Sequence, residues 1–240
     1  MAPREVIVTG GGSGIGYAVA AWFAKAGEHV TITGRRKNVL SEAASRLGAR
    51  YVPFDASDPV TVEAALAELP SRVDVLVNNA GGNTDFERPK NDDLATIAAN
   101  WQSNFAANVL SAVLVTTAVK PRLADQARIV TIGSIAASKG AGSYGAAKAA
   151  VESWTADISR ELGPRGITAN VVAPGLIENT DFFRGTLTDE YRDGLIAQAR
   201  NKRAGTLGDV AELVGYLGSR GAGHVTGQVI HLNGGTHLSR

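Results

Sequence analysis

The sequence predicts one doubly wound α/β domain over residues 1–240, with a seven-stranded parallel sheet and helices on both faces. Seven short apolar, largely β-branched runs alternate with helical patterns along the chain. This alternation is typical of parallel sheets with helical crossovers. Residues with chemically useful side chains follow the strands, and ligands of such sheets bind outside the carboxyl ends of the strands. No shift in composition divides the chain, which favours a single domain.

Composition excludes several classes of function. The chain is 44% hydrophobic and 20% charged, with a net charge of +1, so neither nucleic acid nor a membrane is expected as a partner. It has no cysteine, which excludes disulfides and thiolate sites. No apolar run approaches the ~18 residues of a membrane span, and no signal-type segment precedes the first strand. We therefore expect a cytoplasmic protein.

No metal site is predicted from the histidines. The four histidines are not spaced as metal ligands usually are, and they are His29, His224, His231 and His237.

The first strand, at Val6–Thr9, leads into a glycine-rich turn and then a helix that is predicted to reach Ala26. Glycines allow a tight turn and close approach of the backbone to a pyrophosphate, which the amino terminus of the helix binds. A flexible linker would explain the glycines but not the flanking strand and helix. The residues predicted to bind a dinucleotide here are Gly10, Gly12, Ser13, Gly14, Ile15 and Gly16.

The second strand, at His29–Thr33, ends at Gly34, where NAD-binding sheets usually carry an acidic residue that binds the ribose. Arg35 and Arg36 follow. Arginine suits the 2′-phosphate of NADP, and we predict that both residues bind it. Two exposed arginines before a surface helix could equally serve solubility.

The third strand, at Tyr51–Phe54, is followed by Asp55 and Ala56, which we place in the cofactor site at the carboxyl edge of the sheet. Asp58 is a predicted N-cap, with Pro59 in the first helical position. This helix is predicted to end at Leu69. The preceding helix is predicted to end at Leu47, with Gly48 closing it.

The fourth strand, at Val73–Val77, exits through an Asn-Asn-Ala-Gly-Gly turn. Its small and amide residues allow close approach of a flat ring, and Asn78 can tie neighbouring strands. We assign Asn79, Ala80 and Gly81 to the cofactor site. Taken alone, the tetrapeptide could be simply a turn.

A polar loop through Asn91 is predicted, followed by a long helix from near Asp92 to about Val119. Asn108 falls between apolar residues in the middle of this helix, where asparagine is a weak helix former. It could be a buried residue satisfied by backbone carbonyls, and such a residue can also kink a helix and hold a water.

The fifth strand, at Arg128–Ile132, places Ser134 at the carboxyl edge, and a helix from about Gly142 to Leu162 follows. Tyr144 and Lys148 lie one turn apart on that helix. An ammonium group near a phenol lowers its pKa from about 10, so the pair can act as a general acid and base. The same spacing is also common on solvated helix faces.

The sixth strand, at Ile167–Val172, exits through Pro174 and Gly175. Residues 176–203 are predicted to form a lid, with a helix within 188–199. A helix at Asp209–Leu217 and a strand at Gln228–Leu232 complete the sheet.

Each of these motifs is modest evidence alone, but together and in this order they are specific to one family. The chain resembles the short-chain dehydrogenase/reductase family from end to end. The matching residues are Thr9–Gly16, Asp55, Asn78–Gly81, Trp101, Asn108, Ser134, Tyr144, Lys148 and Pro174–Gly175. The chain is most similar to β-ketoacyl-acyl-carrier-protein reductases and related ketoreductases, above all in Arg165–Gly175 and Val225–Ile230.

The resemblance implies a Rossmann fold and NADP(H) as cofactor. It implies that Tyr144 gives its proton to the carbonyl oxygen and that Ser134 hydrogen-bonds this oxygen. Lys148 would lower the pKa of Tyr144 and hold the nicotinamide ribose, and Asn108 would anchor a water in a relay through Lys148. Backbone groups near Ile177 would fix the carboxamide, and Pro174 and Gly175 would also bind the cofactor.

The predicted substrate is a small-molecule or acyl-linked carbonyl compound. Ser134 and Tyr144 are ten positions apart, a few fewer than the family usually shows, and the missing residues belong to the loop beside the substrate pocket. Ser134 is preferred over Ser138 and Ser143 as the catalytic serine, because it follows the fifth strand as the family's serine does. The segment Asn179–Arg184 is not a clean family match. Alternative functions are an enoyl-type reductase, whose Tyr and Lys usually lie six apart, and a non-catalytic NADP-binding sensor or scaffold.

A homotetramer is expected, with a dimer as the alternative. The helices predicted at Asp92–Val119 and Gly142–Leu162 carry Ala and Val on more than one face, which suggests two-fold subunit contacts. High helix propensity could also explain the alanines.

Overall fold

A computed structural model describes residues 2–87 and 93–238. Its seven strands form one fully parallel sheet in the order β3-β2-β1-β4-β5-β6-β7, so the predicted doubly wound fold is confirmed. The strands are β1 Glu5–Thr9, β2 His29–Gly34, β3 Arg50–Pro53, β4 Val73–Asn78, β5 Leu123–Ile132, β6 Thr168–Pro174 and β7 Val229–Leu232.

The helices of the described residues cover both faces of the sheet. They are α1 Gly14–Lys25, α2 Lys37–Leu47, α3 Pro59–Ala65, α4 Leu94–Phe105, α5 Ser111–Val119, α6 Ala136–Lys139, α7 Gly142–Leu162, α8 Asp189–Gln198 and α9 Leu207–Leu217. None of the helices in this part of the chain is long and apolar enough to cross a membrane.

Alternate side chains of each strand enter different cores, as the two-residue period of a strand requires. Val6 and Val8 of β1 pack with apolar residues of α1, α2 and α9 on one face. Ile7 lies between them in sequence and packs on the other face, with residues of α3, α5 and α7. Burial on both faces explains why the strands have continuous apolar sequences rather than alternating ones.

Local signals set several helix ends as predicted. The Asp58 side chain accepts a hydrogen bond from Val60 N (3.1 Å), and Pro59 starts α3. Gly48 ends α2 in the left-handed conformation, with φ 63°. Thr188 caps α8 in the segment where a helix was predicted.

The predicted end of α3 at Leu69 is wrong, because the helix ends at Ala65. The following residues form tight turns, with Leu66 N bonded to Glu63 O (3.2 Å). Arg122 holds this stretch by donating to the carbonyl oxygens of Leu66 (2.7 Å) and Leu69 (3.1 Å). The Arg122 side chain, 53 positions or more away in sequence, therefore bonds carbonyl groups that would otherwise accept helical hydrogen bonds. Local helix propensity cannot predict such a distant partner.

The start of the fifth strand also differs from the prediction. β5 begins at Leu123 rather than Arg128, because Leu123 pairs with Val73 before a register shift. The polar, exposed Asp125 and Gln126 in this stretch conceal the strand in the sequence. The predicted helix start at Asp92, like the end of the polar loop at Asn91, lies outside the described residues, and α4 is capped by Asp93.

Candidate active site

Tyr144 lies in the first turn of α7 and is only 5% exposed. Burial raises the pKa of its phenol to about 12, and a hydrogen bond with the Ser134 side chain opposes this rise. The expected lowering of this pKa is therefore not found in the structure. The physical reason is desolvation, which disfavours a phenolate wherever no charge faces the hydroxyl closely.

Lys148 lies one helical turn further along α7 and is also buried. Its Nζ donates a hydrogen bond to the carbonyl oxygen of Ile132 (2.8 Å) and lies 5.8 Å from the centroid of the Tyr144 ring. Burial lowers the pKa of Lys148 to about 8. The structure thus brings Ser134, Tyr144 and Lys148 together at the carboxyl end of β5, as predicted.

The glycine-rich turn is packed against the turn that follows β4. Gly10 has φ +64°, and a Cβ added there would lie 2.9 Å from Asn79 Nδ2. A Cβ at Gly16 would collide with the Gly10 carbonyl. Asn79 Nδ2 donates to Thr9 O (2.9 Å), which joins β4 to β1 at their carboxyl ends. Side chains at these two glycines would therefore force the two turns apart.

Asn78 acts differently from the prediction that it ties neighbouring strands. Its Nδ2 donates to Thr116 Oγ1 (2.9 Å), so it fixes β4 to the helix α5 above it. The tie between strands comes from the next two residues, because the backbone N–H groups of Asn79 and Ala80 both donate to Thr9 Oγ1 (2.9 Å each).

Arg35 and Arg36 follow β2 and lie at the same edge of the sheet as Asp55. Burial would raise the pKa of Asp55, but hydrogen bonds from Ser57 and the charge of Arg35 together lower it. Asp55 Oδ1 accepts from Ser57 N (2.9 Å) and Ser57 Oγ (2.7 Å). This carboxylate is therefore oriented by its own turn and stays ionised near Arg35.

A continuous cleft of about 1510 Å³ runs along the carboxyl edge of the sheet. The predicted site residues that line it are Gly10, Gly12, Ser13, Ile15, Gly16, Arg35, Arg36, Asp55, Ala56, Asn79, Ala80, Gly81, Ser134, Tyr144, Lys148, Pro174, Gly175 and Ile177. Two predicted residues within the described part, Gly14 and Asn108, do not line it.

Asn108 lies in a π-helical turn, Ala106–Leu110, which joins α4 to α5. Its Nδ2 donates to the carbonyl oxygens of Asn104 and Gly82 (2.9 Å each), and its Oδ1 accepts from Gly82 N (3.0 Å). The side chain ties the turn after β4 to the helix, which matches the alternative of a buried asparagine satisfied by backbone groups. Its role in a proton relay stays a prediction.

Residues 10–237 match a family model described as enoyl-(acyl carrier protein) reductase. The 3-oxoacyl-(acyl-carrier-protein) reductase FabG of Escherichia coli strain K12 is 35% identical over 247 residues, which cover 98% of both chains. A short-chain dehydrogenase/reductase from Brucella melitensis superposes with a TM-score of 0.87 at 31% identity, covering 98% of this chain and 97% of that one.

The chain belongs to the short-chain dehydrogenase/reductase family. A blue fluorescent protein from a metagenomic library, solved in complex with NADPH, is also similar, with a TM-score of 0.85 and 30% identity over 98% of both chains. The family assignment makes this protein an oxidoreductase with the predicted Rossmann fold.

The cleft of this short-chain dehydrogenase/reductase fits a dinucleotide with a 2′-phosphate. The amide groups in the first turn of α1 have no partners within the helix, and Ser13 does not cap them through its side chain. Such amides bind pyrophosphate. Arg35 and Arg36, at the end of β2, present the positive charge that a 2′-phosphate requires.

A polar network lies beside Tyr144 that the sequence did not predict. Ser143 Oγ donates to Asp85 Oδ2 (3.0 Å), and Asn104 Nδ2 donates to Ser143 Oγ and Asp85 Oδ1 (2.8 Å each). Asn104 also accepts from Thr84 N (3.1 Å). The network joins the start of α7 to α4 and to the turn after β4. No local motif marks it, because its members are 19 to 58 positions apart.

A group of aromatic rings above Tyr144 was also missed. The ring of Phe182 lies 5.5 Å from that of Tyr144, 5.0 Å from Phe183 and 5.7 Å from Phe86. All four line the cleft. The two adjacent phenylalanines, Phe182 and Phe183, are visible in the predicted lid segment. The sequence does not show, however, that Phe182 packs against Tyr144.

Proposed function

We propose that this short-chain dehydrogenase/reductase is an NADP-dependent ketoreductase, which transfers a hydride between NADPH and a carbonyl or alcohol substrate. The observation that carries the proposal is the convergence of Ser134, Tyr144 and Lys148 in one cleft with Arg35 and Arg36. The name of the Escherichia coli relative, a 3-oxoacyl-(acyl-carrier-protein) reductase, supports a ketone or β-ketoacyl compound as substrate.

In this proposal, NADPH supplies the hydride. Tyr144 protonates the carbonyl oxygen during reduction and accepts the proton back during oxidation. Burial raises the pKa of Tyr144 and so keeps the phenol protonated at neutral pH, which suits a proton donor. Ser134 donates a hydrogen bond to the same oxygen and stabilises the charge that develops there.

Lys148 has two roles in the proposal. It binds the nicotinamide ribose, and its positive charge makes release of the proton from Tyr144 easier when substrate enters. Nζ is held at the carboxyl end of β5 by the Ile132 carbonyl, which keeps it 5.8 Å from the Tyr144 ring.

Reduction of a carbon–carbon double bond is the alternative, because the matching family model is described as an enoyl reductase. The four-residue spacing of Tyr144 and Lys148 favours the ketoreductase. A non-catalytic NADP-binding protein is disfavoured because both residues are present and lie in the cleft.

The deciding experiment measures NADPH oxidation with ketones, β-ketoesters and enoyl thioesters, in the wild type and in Tyr144→Phe. We expect ketone reduction in the wild type and at least a ~100-fold lower kcat in the variant, with NADPH affinity within about twofold. Turnover of enoyl thioesters alone, or full ketone activity in Tyr144→Phe, would refute the proposal.

We propose two-fold assembly into a homotetramer, with a dimer as the alternative. Leu94, Ile97 and Trp101 lie on one face of α4 and are 84%, 41% and 45% exposed. A row of exposed apolar side chains at helical spacing supports a subunit contact. Light scattering at micromolar concentration tests this, and a monomer would reject it.

A further inference from the structure

The substrate end of the cleft is walled by aromatic rings from separate parts of the chain. Phe86 belongs to the turn after β4, whereas Phe182, Phe183 and Tyr191 come from the segment after β6. Neighbouring rings are 5.0 to 6.3 Å apart, and the chain of contacts ends on Tyr144. All five rings line the cleft.

The wall has one firmly held side. Phe86 follows Asp85, whose carboxylate accepts hydrogen bonds from Ser143 and Asn104. The same network holds the start of α7, so Phe86 and Tyr144 are fixed relative to each other. Phe182 packs directly against Tyr144 in a tilted contact, with ring centroids 5.5 Å apart, and meets Phe86 edge-on at 5.7 Å.

This arrangement favours a flat, rigid substrate group. Aromatic rings attract one another most in edge-to-face and offset geometries, at the separations seen here between Phe86, Phe182 and Tyr144. A planar ring placed next to the reacting carbonyl would gain these contacts while its carbonyl oxygen reaches Tyr144. A saturated or flexible chain of equal size gains only the burial of apolar area.

We infer that the substrate carries its carbonyl directly on an aromatic ring, as an aryl ketone or aryl aldehyde. The inference rests on the proposed ketoreductase function and narrows its substrate class. Phe86 and Phe182 select the ring, and Tyr144 and Ser134 engage the oxygen.

The test compares acetophenone with cyclohexyl methyl ketone, which has the same number of carbon atoms and a similar size but no aromatic ring. Conjugation makes the aryl ketone the less reactive carbonyl, so a preference for it has to come from binding. From two aromatic contacts, we expect kcat/KM for acetophenone to be at least ~10-fold higher.

Phe182→Leu and Phe86→Leu each remove one ring and keep an apolar side chain. Each is expected to lower the acetophenone preference by about threefold to tenfold. Tyr216→Leu is the matched control, because Tyr216 is an exposed ring on α9 outside the cleft. It should leave the preference unchanged. Saturation-transfer NMR with the same two ketones measures their relative binding without turnover.

The outcomes separate this inference from the proposed function. A wild-type ratio near one, or a preference that survives both Phe→Leu variants, overturns the inference. Reduction of a β-ketoacyl thioester without either methyl ketone also overturns it, while the ketoreductase proposal stands. If no carbonyl compound is reduced, the proposed function fails, and equal NMR binding of the two ketones then rejects the aryl preference as well.

Discussion

Burial of Lys148 should cost the folded protein stability at neutral pH, and the variant Lys148→Met should recover it. The pKa of Lys148 is lowered from 10.5 to about 8 by burial. Each pKa unit corresponds to about 1.4 kcal/mol, so the penalty is about 3 kcal/mol when the side chain is protonated in both states. The side chain is buried, so solvent screening does not reduce this figure greatly.

The sign follows from proton binding. Between pH 8 and 10.5, the unfolded chain holds the Lys148 proton more than the folded protein does, so stability rises with pH. The penalty is complete below about pH 8 and is lost as the pH approaches the unfolded pKa. Replacing Lys148 with Met removes this dependence, together with the hydrogen bond to Ile132 O, whose loss depends little on pH.

The assay is urea unfolding of both proteins at one protein concentration, at about pH 6.5 and about pH 9.5. We expect the stability of Lys148→Met relative to wild type to be about 2 kcal/mol higher at the lower pH than at the higher pH. Lys25→Met is the control, because Lys25 is exposed at the end of α1. The reasoning would be refuted if the stability of Lys148→Met relative to wild type were the same at both pH values. It would also be refuted if this relative stability were lower at about pH 6.5 than at about pH 9.5.

Two further predictions concern the cofactor and the polar network. Arg35→Ala should lower the preference for NADPH over NADH by about tenfold through the KM for NADPH, since a charge-assisted hydrogen bond contributes roughly 1.5–3 kcal/mol. Steady-state kinetics check this, with Arg46→Ala on the outer face of α2 as control, and an unchanged ratio contradicts it. Ser143→Ala should destabilise the protein by about 1–3 kcal/mol, because Asp85 loses a buried partner. Urea titration measures the loss, and the exposed Ser138→Ala should show none.

The sheet was predictable because its signals are local. Continuous apolar runs mark strands buried on both faces, and the order of strands and helices fixes a doubly wound topology. Asp58, Gly48 and Thr188 act within a few residues of their own positions, so they mark helix ends correctly. The end of α3 escaped prediction because Arg122, far along the chain, takes over the carbonyl groups of that stretch.

The same distinction applies to the candidate site. Ser134 is predictable because it follows a strand, and Tyr144 and Lys148 are predictable because they lie one helical turn apart. Their proximity could therefore be predicted from the sequence alone. The Asp85 network and the contact of Phe182 with Tyr144 depend on distant segments meeting above the sheet. The pKa of Tyr144 also depends on the burial that these distant segments produce. The spacing of Tyr144 and Lys148 alone therefore predicted a lowered pKa, whereas burial raises it.

The raised pKa of Tyr144 and the aromatic wall have one physical origin. Phe182 packs against Tyr144 and contributes to its exclusion from water, and exclusion from water disfavours the phenolate. In the proposed reaction, a substrate carbonyl that reaches the phenol accepts its proton, and the nearby Lys148 favours this loss. The segment that carries Phe182, which we infer selects the substrate, therefore also keeps Tyr144 protonated until a carbonyl oxygen is present to receive the proton.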